Sequence, residues 1–349
     1  MAYQREYDRR LRVGLVGAGS HAYRNVLPAL HHLPVTLSGI CDLDRQLAER
    51  TASEYGVPAF SGAAEMYAAV DLDAVLVCAG PRQHPDLAVE ALSAGLHVWM
   101  EKPPGLFAAD VEKIMAARGD RVCAVGFKKA YQPAVRKAKE LMALPEFGAL
   151  RSVLAVYPMT MPADGAGVLS RRETTNWLNN GCHPLSLMIE VAGDVESVRT
   201  VVGPGDAAVG SVNLTFAGGA VGTFFLAGGA PHGYPIERYD LIGEGRSITI
   251  DNSARVSFHR GIPFDYTRQT DFTGPGTETG SVVWEAEHRL ATQENSGLFV
   301  QGMFFELSDF CGAILDHRPL RSGDLPFALQ VMRVYEAGLR STGDVVPVG

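Results

Sequence analysis

The sequence predicts an α/β protein with two domains: an N-terminal doubly wound parallel sheet and a C-terminal α+β domain with an open, mostly antiparallel sheet. Between residues 11 and 126, short runs that are apolar on both faces alternate with amphipathic stretches, which is typical of a parallel sheet covered by helices. From residue 195 to 260 the chain is rich in strands, with AGG at 217–219 and GEG at 243–245 as hairpin turns. The length of 349 residues suits two domains better than one core.

The predicted elements of the first domain, residues 1–127, follow one another at short intervals. Strands are predicted at 11–17, 35–42, 73–80, 97–103 and 121–128, and helices at 21–33, 43–56, 84–95 and 108–118. Pro28 is expected to bend or interrupt the first of these helices. Gly56 is expected to cap the second, because glycine readily adopts the left-handed conformation at a helix C-terminus.

The second domain is assigned to residues 128–349. KKAYQPAVRKAKELMAL predicts a helix, RSVLAVYPMTM at 151–161 predicts a strand, and residues 297–315 and 324–339 predict helices that could pack back on the first domain. The segment 261–283 is rich in Gly, Thr and Pro, so it is predicted to be a loop.

Composition and charge argue weakly against several classes of partner. The formal net charge of −8 argues against nucleic acid or an anionic membrane surface. No apolar run reaches the ~18 residues of a membrane span, and the polar N-terminus has no signal-peptide core. The five cysteines form no CxxC pair and are expected to be free thiols in a reducing compartment. We therefore expect a cytoplasmic protein, and no metal site is predicted.

A glycine-rich loop joins the first strand to the first helix in GLVGAGSHA. Gly17 and Gly19 allow a tight turn and close approach of a pyrophosphate, and Ala22 fills the third position of the fingerprint. Asp42, at the end of the second strand, is placed to bind ribose hydroxyls and to repel a 2′-phosphate. The loop predicts a Rossmann domain that binds NAD(H) in preference to NADP(H).

Further candidate cofactor residues follow the third and fourth predicted strands, because ligands of such sheets bind at the carboxyl ends of the strands. Glu101-Lys102-Pro103 ends the fourth strand, where Lys102 could donate a hydrogen bond to a substrate hydroxyl or carbonyl; a surface Glu-Lys pair is the alternative. His84 contacts the cofactor or is a polar residue at a helix start. The candidate cofactor-binding residues are Gly17, Gly19, Ser20, His21, Ala22, Asp42, Arg45, Ala79, Gly80, Gln83, His84, Glu101 and Lys102.

The segment TNWLNNGCHPLSL contains one histidine, His183, before a proline and an apolar run. Histidine suits acid/base chemistry near neutrality. The alternative is a structural histidine near the start of a helix.

The glycine loop, the EKP sequence and this Gly-x-His-Pro segment together resemble the glucose–fructose oxidoreductase/inositol dehydrogenase (Gfo/Idh/MocA) family. GFKKAYQPAVRKAKEL and ELSDFCGAILDHRPL are similar to two further segments of that family. The resemblance implies an NAD(P)-dependent redox reaction at a hydroxyl of a sugar, polyol or cyclitol, with Lys102 and His183 in the active site. It also implies a homodimer or homotetramer formed through the C-terminal sheet.

The sequence departs from the family pattern around the histidine. Asn179 stands where the family often has aspartate four residues before it, and Ser186 where aspartate often follows three residues after it. Ala79-Gly80 replaces a common Thr-Pro. Because asparagine carries no charge, His183 should have a lower pKa than in relatives with aspartate. The candidate catalytic residues are Lys102, His183 and Asn179.

Three functions remain open: an oxidoreductase, an enzyme of NAD-dependent glycosidic cleavage, and a non-catalytic NAD-binding sensor or regulator. The candidate substrate-binding residues are Lys129, Arg171, Arg172, Asn176, Trp177, Asn180 and His183, with Tyr131, Tyr157, His232 and Tyr234 as weaker candidates. Trp177 either stacks on a sugar or belongs to the core. The two arginines suit a phosphate or carboxylate, or else lie on a solvated loop.

Overall fold

A computed structural model describes residues 7–205, 208–231, 236–262, 267, 279–286 and 296–349. The described residues form two β-sheets, one of six strands and one of nine, each packed against helices. The predicted fold class is therefore confirmed.

The first sheet is entirely parallel. Its strands are β1 (Leu11–Val16), β2 (Val35–Cys41), β3 (Ala59–Phe60), β4 (Ala74–Val77), β5 (His97–Met100) and β6 (Cys123–Val125). They lie in the order β3-β2-β1-β4-β5-β6, which is the doubly wound arrangement. In this order the chain changes direction across the sheet between β1 and β4, and the crevice at their carboxyl ends is where dinucleotides bind.

Five helices cover this sheet. The first, α1, comprises a π-helical segment Ala22–Val26, an α-helical turn Leu27–Ala29 and a 3-10 turn Leu30–His32. The others are α2 (Arg45–Tyr55), α3 (Ala63–Ala69), α4 (His84–Ser93) and α5 (Ala108–Ala117). Pro28 does not end α1; it lies in the α-helical turn that follows the π-helical segment. Gly56 caps α2 with φ +67°, as predicted.

The second sheet is mixed but mostly antiparallel. Its strands are β7 (Ser152–Tyr157), β8 (Val195–Val202), β9 (Gly210–Phe216), β10 (Val221–Leu226), β11 (Arg238–Ile242), β12 (Ser247–Asp251), β13 (Arg255–His259), β14 (Ser281–Glu285) and β15 (Val345–Pro347). They lie in the order β14-β13-β12-β11-β7-β10-β9-β8-β15, and β7 and β10 are the parallel pair among them. AGG and GEG turn the hairpins β9–β10 and β11–β12, as predicted. The predicted loop 261–283 lies largely outside the described residues, but its last three residues begin β14.

The remaining helices belong to the second half of the chain. They are a 3-10 turn Lys128–Tyr131, α6 (Pro133–Met142), a 3-10 turn Pro145–Phe147, α7 (Gly165–Arg171), α8 (Asn176–Ala192), α9 (Ser296–Val300), α10 (Met303–Leu315) and α11 (Leu325–Arg340). The predicted helix 297–315 is divided at Gly302, which has φ +89°. Helix α10 contributes Met303, Leu307 and Phe310 to the hydrophobic core of the first sheet. The domain boundary between residues 127 and 128 stays a prediction.

The helix that carries His183 begins seven residues before it, unlike the helix-start alternative considered for that residue. Helix α8 begins at Asn176, with the hydroxyl of Thr175 accepting a hydrogen bond from the Leu178 amide, and it runs through Pro184. His183 therefore lies within the helix rather than at its start. A proline is common at the first position of a helix, but Pro184 lies inside α8, where it and the following Leu185 and Leu187 are buried.

The structure also bears on disulfides, membrane spans and metal binding. All five cysteines are free, and Cys78 is the one that is partly exposed. Within the described ranges, no helix has the length and apolarity to cross a bilayer. The same residues contain no cluster of three His, Cys, Asp or Glu side chains that could hold a metal ion.

Candidate active site

The glycine loop between β1 and α1 has the conformation that a dinucleotide requires. Gly17 has φ +92°, and a Cβ there would lie 2.3 Å from the carbonyl oxygen of Cys78. A Cβ at Gly19 would meet nothing within 4 Å, so this side of the loop is open. The first turn of α1, with Ser20 and His21 exposed, presents amides that lack partners within the helix. This cradle fits a pyrophosphate.

Asp42 holds the glycine loop against the end of β2. Its Oδ2 accepts a hydrogen bond from the Ala18 amide at 2.8 Å, and its Oδ1 accepts one from the Asp44 amide at 2.8 Å. The carboxylate therefore lies at the edge where a ribose would bind. Arg45, in contrast, is exposed, and its Nε donates to Glu49 at 2.8 Å on the next turn of α2. This contact directs Arg45 along the helix.

Glu101 connects the end of β5 to the first turn of α1. Its Oε1 lies 2.7 Å from Nε2 of His21, whose Nδ1 lies 3.2 Å from Nδ2 of Asn25. Its Oε2 accepts a hydrogen bond from the Lys102 amide at 3.1 Å. Burial opposes ionisation, but the hydrogen bond and charge of His21 outweigh it and lower the pKa of Glu101. Glu101 and His21 thus bind each other at the candidate cofactor site.

The residues after β4 form the opposite wall of the crevice. Ala79 and Gly80 are partly exposed, and a Cβ at Gly80 would lie 2.8 Å from Oε1 of Gln83. The expected contact between His84 and the cofactor is corrected by the structure, because the side chain of His84 is fully buried. Its Nδ1 lies 2.7 Å from the carbonyl oxygen of Pro103. His84 therefore supports the EKP segment, whose Lys102–Pro103 peptide is cis.

Lys102 joins the two halves of the site. Its Nζ donates a hydrogen bond of 2.9 Å to the backbone carbonyl oxygen of Asn179 on α8. The side chain of Asn179 is exposed and makes no part of this contact. Pro184, later in the same helix, has no N–H to offer the carbonyl of Asn180, so the hydrogen-bond ladder of α8 is interrupted beside Lys102.

His183 is buried one helical turn after Asn179. Its Nδ1 is buried and has no hydrogen-bond partner within the described part of the chain, which leaves Nε2 as the ring nitrogen that can face the crevice. Burial lowers the pKa of His183 well below its usual value, and the charges of Lys102 and Lys129 lower it further. The imidazole is therefore held in its neutral, proton-accepting form. Ser186 does not contact the ring, since its hydroxyl donates to the carbonyl oxygen of His183 at 2.8 Å.

The asparagines of α8 share the helical face of His183. Asn176, Asn179, Asn180 and His183 are spaced by three or four residues, which places them on one side of the helix. Asn176 Oδ1 accepts a hydrogen bond from the Thr160 amide at 3.1 Å, and Asn180 is partly exposed. These residues line the approach to His183.

Two substrate-binding predictions are corrected by burial. Trp177 is fully buried, stacks between Phe224 and Tyr335, and donates from Nε1 to the Tyr335 carbonyl at 3.1 Å. It is a core residue and is not available to stack on a sugar. Lys129 is also buried, and both oxygens of Glu237 accept hydrogen bonds from its Nζ, at 2.7 and 2.6 Å. Its charge is therefore already compensated.

The two arginines contact residues outside helix α8. Arg171 is exposed, and its Nε donates to Glu173 at 2.7 Å. The guanidinium of Arg172 lies 4.5 Å from the ring centroid of Phe107, and its carbonyl accepts a hydrogen bond of 2.5 Å from Arg82. Within the described residues no contact joins either arginine to His183, which favours the interpretation as a solvated segment.

The structure describes two of the four weaker candidates, and two further residues near the site were not predicted. Tyr131 donates to Asp309 at 3.0 Å and is buried, and Tyr157 lies beneath Lys129. His232 and Tyr234 lie outside the described residues. Sequence reasoning missed Lys128, directly after Phe127, and Glu306, a buried acid on α10. A charged residue in the apolar run MFFELSDF was the signal that could have identified Glu306.

Comparison with known proteins agrees with this geometry. Residues 11–127 match the GFO_IDH_MocA model, an oxidoreductase family with an NAD-binding Rossmann fold, and residues 135–249 match the GFO/IDH/MocA C-terminal domain. The chain belongs to the GFO/IDH/MocA family. The resemblance inferred from the glycine loop, EKP and Gly-x-His-Pro is thus confirmed.

Its relatives include dehydrogenases and reductases. Inositol 2-dehydrogenase of Burkholderia lata is 30% identical over 149 residues, which is 40% of this chain and 43% of the relative, so the match spans less than half of that enzyme. The dTDP-3,4-didehydro-2,6-dideoxy-alpha-D-glucose 3-reductase of Streptomyces antibioticus is 29% identical over 275 residues, 72% of this chain and 81% of the relative. An oxidoreductase from Agrobacterium radiobacter, solved with NAD+, L-tartaric acid and magnesium, has the same fold, with a TM-score of 0.80, 16% identity and coverage of 97% and 99%.

Proposed function

We propose that the protein is an NAD(H)-dependent dehydrogenase or reductase that interconverts a hydroxyl and a carbonyl group on a sugar, sugar derivative or cyclitol. The observation that carries this proposal is the hydrogen bond from Lys102, at the end of β5, to the helix carbonyl one turn before His183. This contact supports a shared site for the ammonium of Lys102, the imidazole of His183 and the dinucleotide cradle.

The chain would supply the groups that position the substrate and move a proton. A bound nicotinamide would supply the hydride acceptor or donor. Neutral His183 would accept the hydroxyl proton during oxidation and return it during reduction. The ammonium of Lys102 would donate a hydrogen bond to the reacting oxygen and stabilise negative charge on it. Asn176 and Asn180 would bind neighbouring hydroxyls of the substrate.

The residues around the glycine loop support NAD(H) in preference to NADP(H). The carboxylate of Asp42 lies where ribose hydroxyls would donate to it and where a 2′-phosphate would be repelled. Arg45, the nearest candidate for binding such a phosphate, is engaged with Glu49.

A spectrophotometric screen tests the proposed function. The purified protein is incubated with NAD+ and polyols, cyclitols or sugars, and separately with NADH and keto-sugars, while absorbance of NADH is followed. Turnover with a member of these classes supports the proposal. Cofactor binding without turnover of any of them would overturn it and indicate a regulator. Release of an aryl group from aryl glycosides without net NADH change would indicate NAD-dependent glycosidic cleavage.

The outer face of the second sheet supports assembly into a homodimer or homotetramer. One face of β7 and β10 packs on helices, while Leu154, Val221 and Phe225 point the other way; Val221 and Phe225 are 55% and 48% exposed. Exposed apolar patches of this kind are typical of association surfaces. Light scattering on the wild type and on Phe225→Lys tests this; a wild-type monomer would contradict it.

A further inference from the structure

Lys128 emerges from the first sheet beside Lys102. Strand β6 ends at Val125 next to β5, and the amide of Gly126 donates to the carbonyl oxygen of Met100 at 2.8 Å. The two lysines follow these neighbouring strand ends and therefore leave the sheet at the same edge. The 3-10 turn that begins with Lys128 also packs against α8, the helix that carries His183. Burial lowers the pKa of His183, and the charges of Lys102 and Lys128 lower it further, which agrees with the placement of both lysines near that helix.

The charged side chains near Lys128 differ in whether they already have a partner of opposite charge. Lys129 is held by both oxygens of Glu237, and Glu101 is engaged with His21. Lys102 donates to a neutral carbonyl. Among the residues that the structure describes, Lys128 has no hydrogen-bond or ion-pair partner, although it is only partly exposed. Burial lowers its pKa, and the charge of Lys129 lowers it further.

Glu306 is the remaining acid near this group, and it does not pair with Lys128. Both of its carboxyl oxygens are buried without a hydrogen-bond partner in the described part of the chain. Burial raises the pKa of Glu306 well above its usual value, and the charge of Glu101 raises it further, which favours the neutral acid. Lys102 and Lys128 thus follow neighbouring strand ends, and among the described residues no carboxylate binds the ammonium group of either.

An unpaired cation that is largely removed from water is costly unless an anion neutralises it. We propose that the substrate carries an anionic group, a carboxylate or a phosphate, that binds Lys128 while its reacting hydroxyl lies between Lys102 and His183. This inference rests on the proposed function and narrows its substrate class from sugars and cyclitols in general to acidic ones. It also assigns to Lys128 the role in specificity that the sequence suggested for Arg171 and Arg172.

The specificity of turnover tests the proposal. Turnover in the presence of NAD+ is measured for three substrate classes: neutral hexoses and inositols, hexuronates, and hexose phosphates. The proteins compared are the wild type, Lys128→Gln, Lys128→Arg and Lys113→Gln. Lys113 is a matched control because its exposed ammonium pairs with Asp86, away from the crevice. We expect an acidic class to be preferred, and Lys128→Gln to lower kcat/KM for that class at least ~10-fold more than for neutral compounds. Lys128→Arg should retain the preference, and the class that responds distinguishes carboxylate from phosphate.

Preference for neutral substrates, or an equal loss on both classes in Lys128→Gln, would overturn the proposal. Calorimetric binding of the same compounds to the NAD+-saturated protein separates this outcome from failure of the proposed function. If no compound is turned over, binding of an acidic sugar that is weakened by Lys128→Gln but not by Lys113→Gln still supports the anion site. Absence of such binding refutes it.

Discussion

The ammonium of Lys102 donates its hydrogen bond to the backbone carbonyl of Asn179, 2.9 Å away, and not to the side chain of that residue. The position at which the family often has an aspartate is therefore tied to Lys102, the candidate catalytic lysine, through its main chain. This separates two effects of the side chain at position 179. It does not anchor Lys102, but a charge on it, as in aspartate, would act on His183 one turn later.

Substitution of Asn179 should accordingly affect the pH dependence of kcat/KM more than the position of the Lys102 side chain. Asn179→Asp places a carboxylate near His183, which favours the imidazolium and should move the acidic limb of the kcat/KM–pH profile up by about one unit. Asn179→Ala, which keeps the carbonyl, is the control and should leave that limb in place. Identical profiles for the wild type and Asn179→Asp would contradict an electrostatic coupling.

Loss of either catalytic candidate should reduce turnover strongly. We expect His183→Ala and Lys102→Ala each to lower kcat by at least ~100-fold, the usual range for a lost acid or base. Fluorescence titration with NADH is the control for an intact cofactor site. Full activity in both variants would refute the assigned roles.

The buried neutral imidazole of His183 makes stability depend on pH. Because its pKa is lowered in the folded protein, the unfolded chain binds a proton that the folded chain does not, below pH 6.5. The free energy of unfolding should therefore fall as pH falls from 6.5, by about 1.4 kcal/mol per unit for this group. Urea unfolding of His183→Asn at pH 7 and 5 should show a smaller pH-dependent loss than the wild type. Parallel losses would show that this ring does not contribute.

The buried pair of Lys129 and Glu237 should stabilise the second domain only when both partners are present. Lys129→Met leaves a buried carboxylate unpaired and should cost about 3–5 kcal/mol of unfolding free energy. Lys129→Met/Glu237→Leu should recover much of that cost, because no charge is left buried. Chemical denaturation measures both variants, and Lys113→Met, at an exposed pair, is the control with a small effect. A double variant no more stable than Lys129→Met would contradict this reading.

Asp42 should govern both loop geometry and cofactor choice. Asp42→Ala removes the acceptor for the Ala18 amide and for a ribose hydroxyl, so KM for NAD+ should rise at least ~10-fold and the NAD+/NADP+ ratio of kcat/KM should fall. Steady-state kinetics with both cofactors checks this. An unchanged ratio would exclude the carboxylate from ribose recognition.

Much of the fold could be predicted because it depends on local patterns. The apolar strands, the Gly17–Gly19 loop and the Gly56 cap each follow from neighbouring residues, and the structure contains all of them. The candidate site was predicted less completely. Trp177 and Lys129 have side chains suited to sugar binding, but their burial and partners depend on α11 and β11 regions far along the chain.

By itself the sequence determined the family, the doubly wound sheet and the residue types of the site, because these are encoded in short motifs and in the periodicity of apolar residues. Tertiary structure alone decided which of those residues are available. It directed His84 to Pro103, Trp177 to the core and Lys129 to Glu237, and it left Lys128 unpaired within the described residues. The physical reason is that burial and charge compensation depend on contacts between segments distant in sequence, which no local pattern specifies.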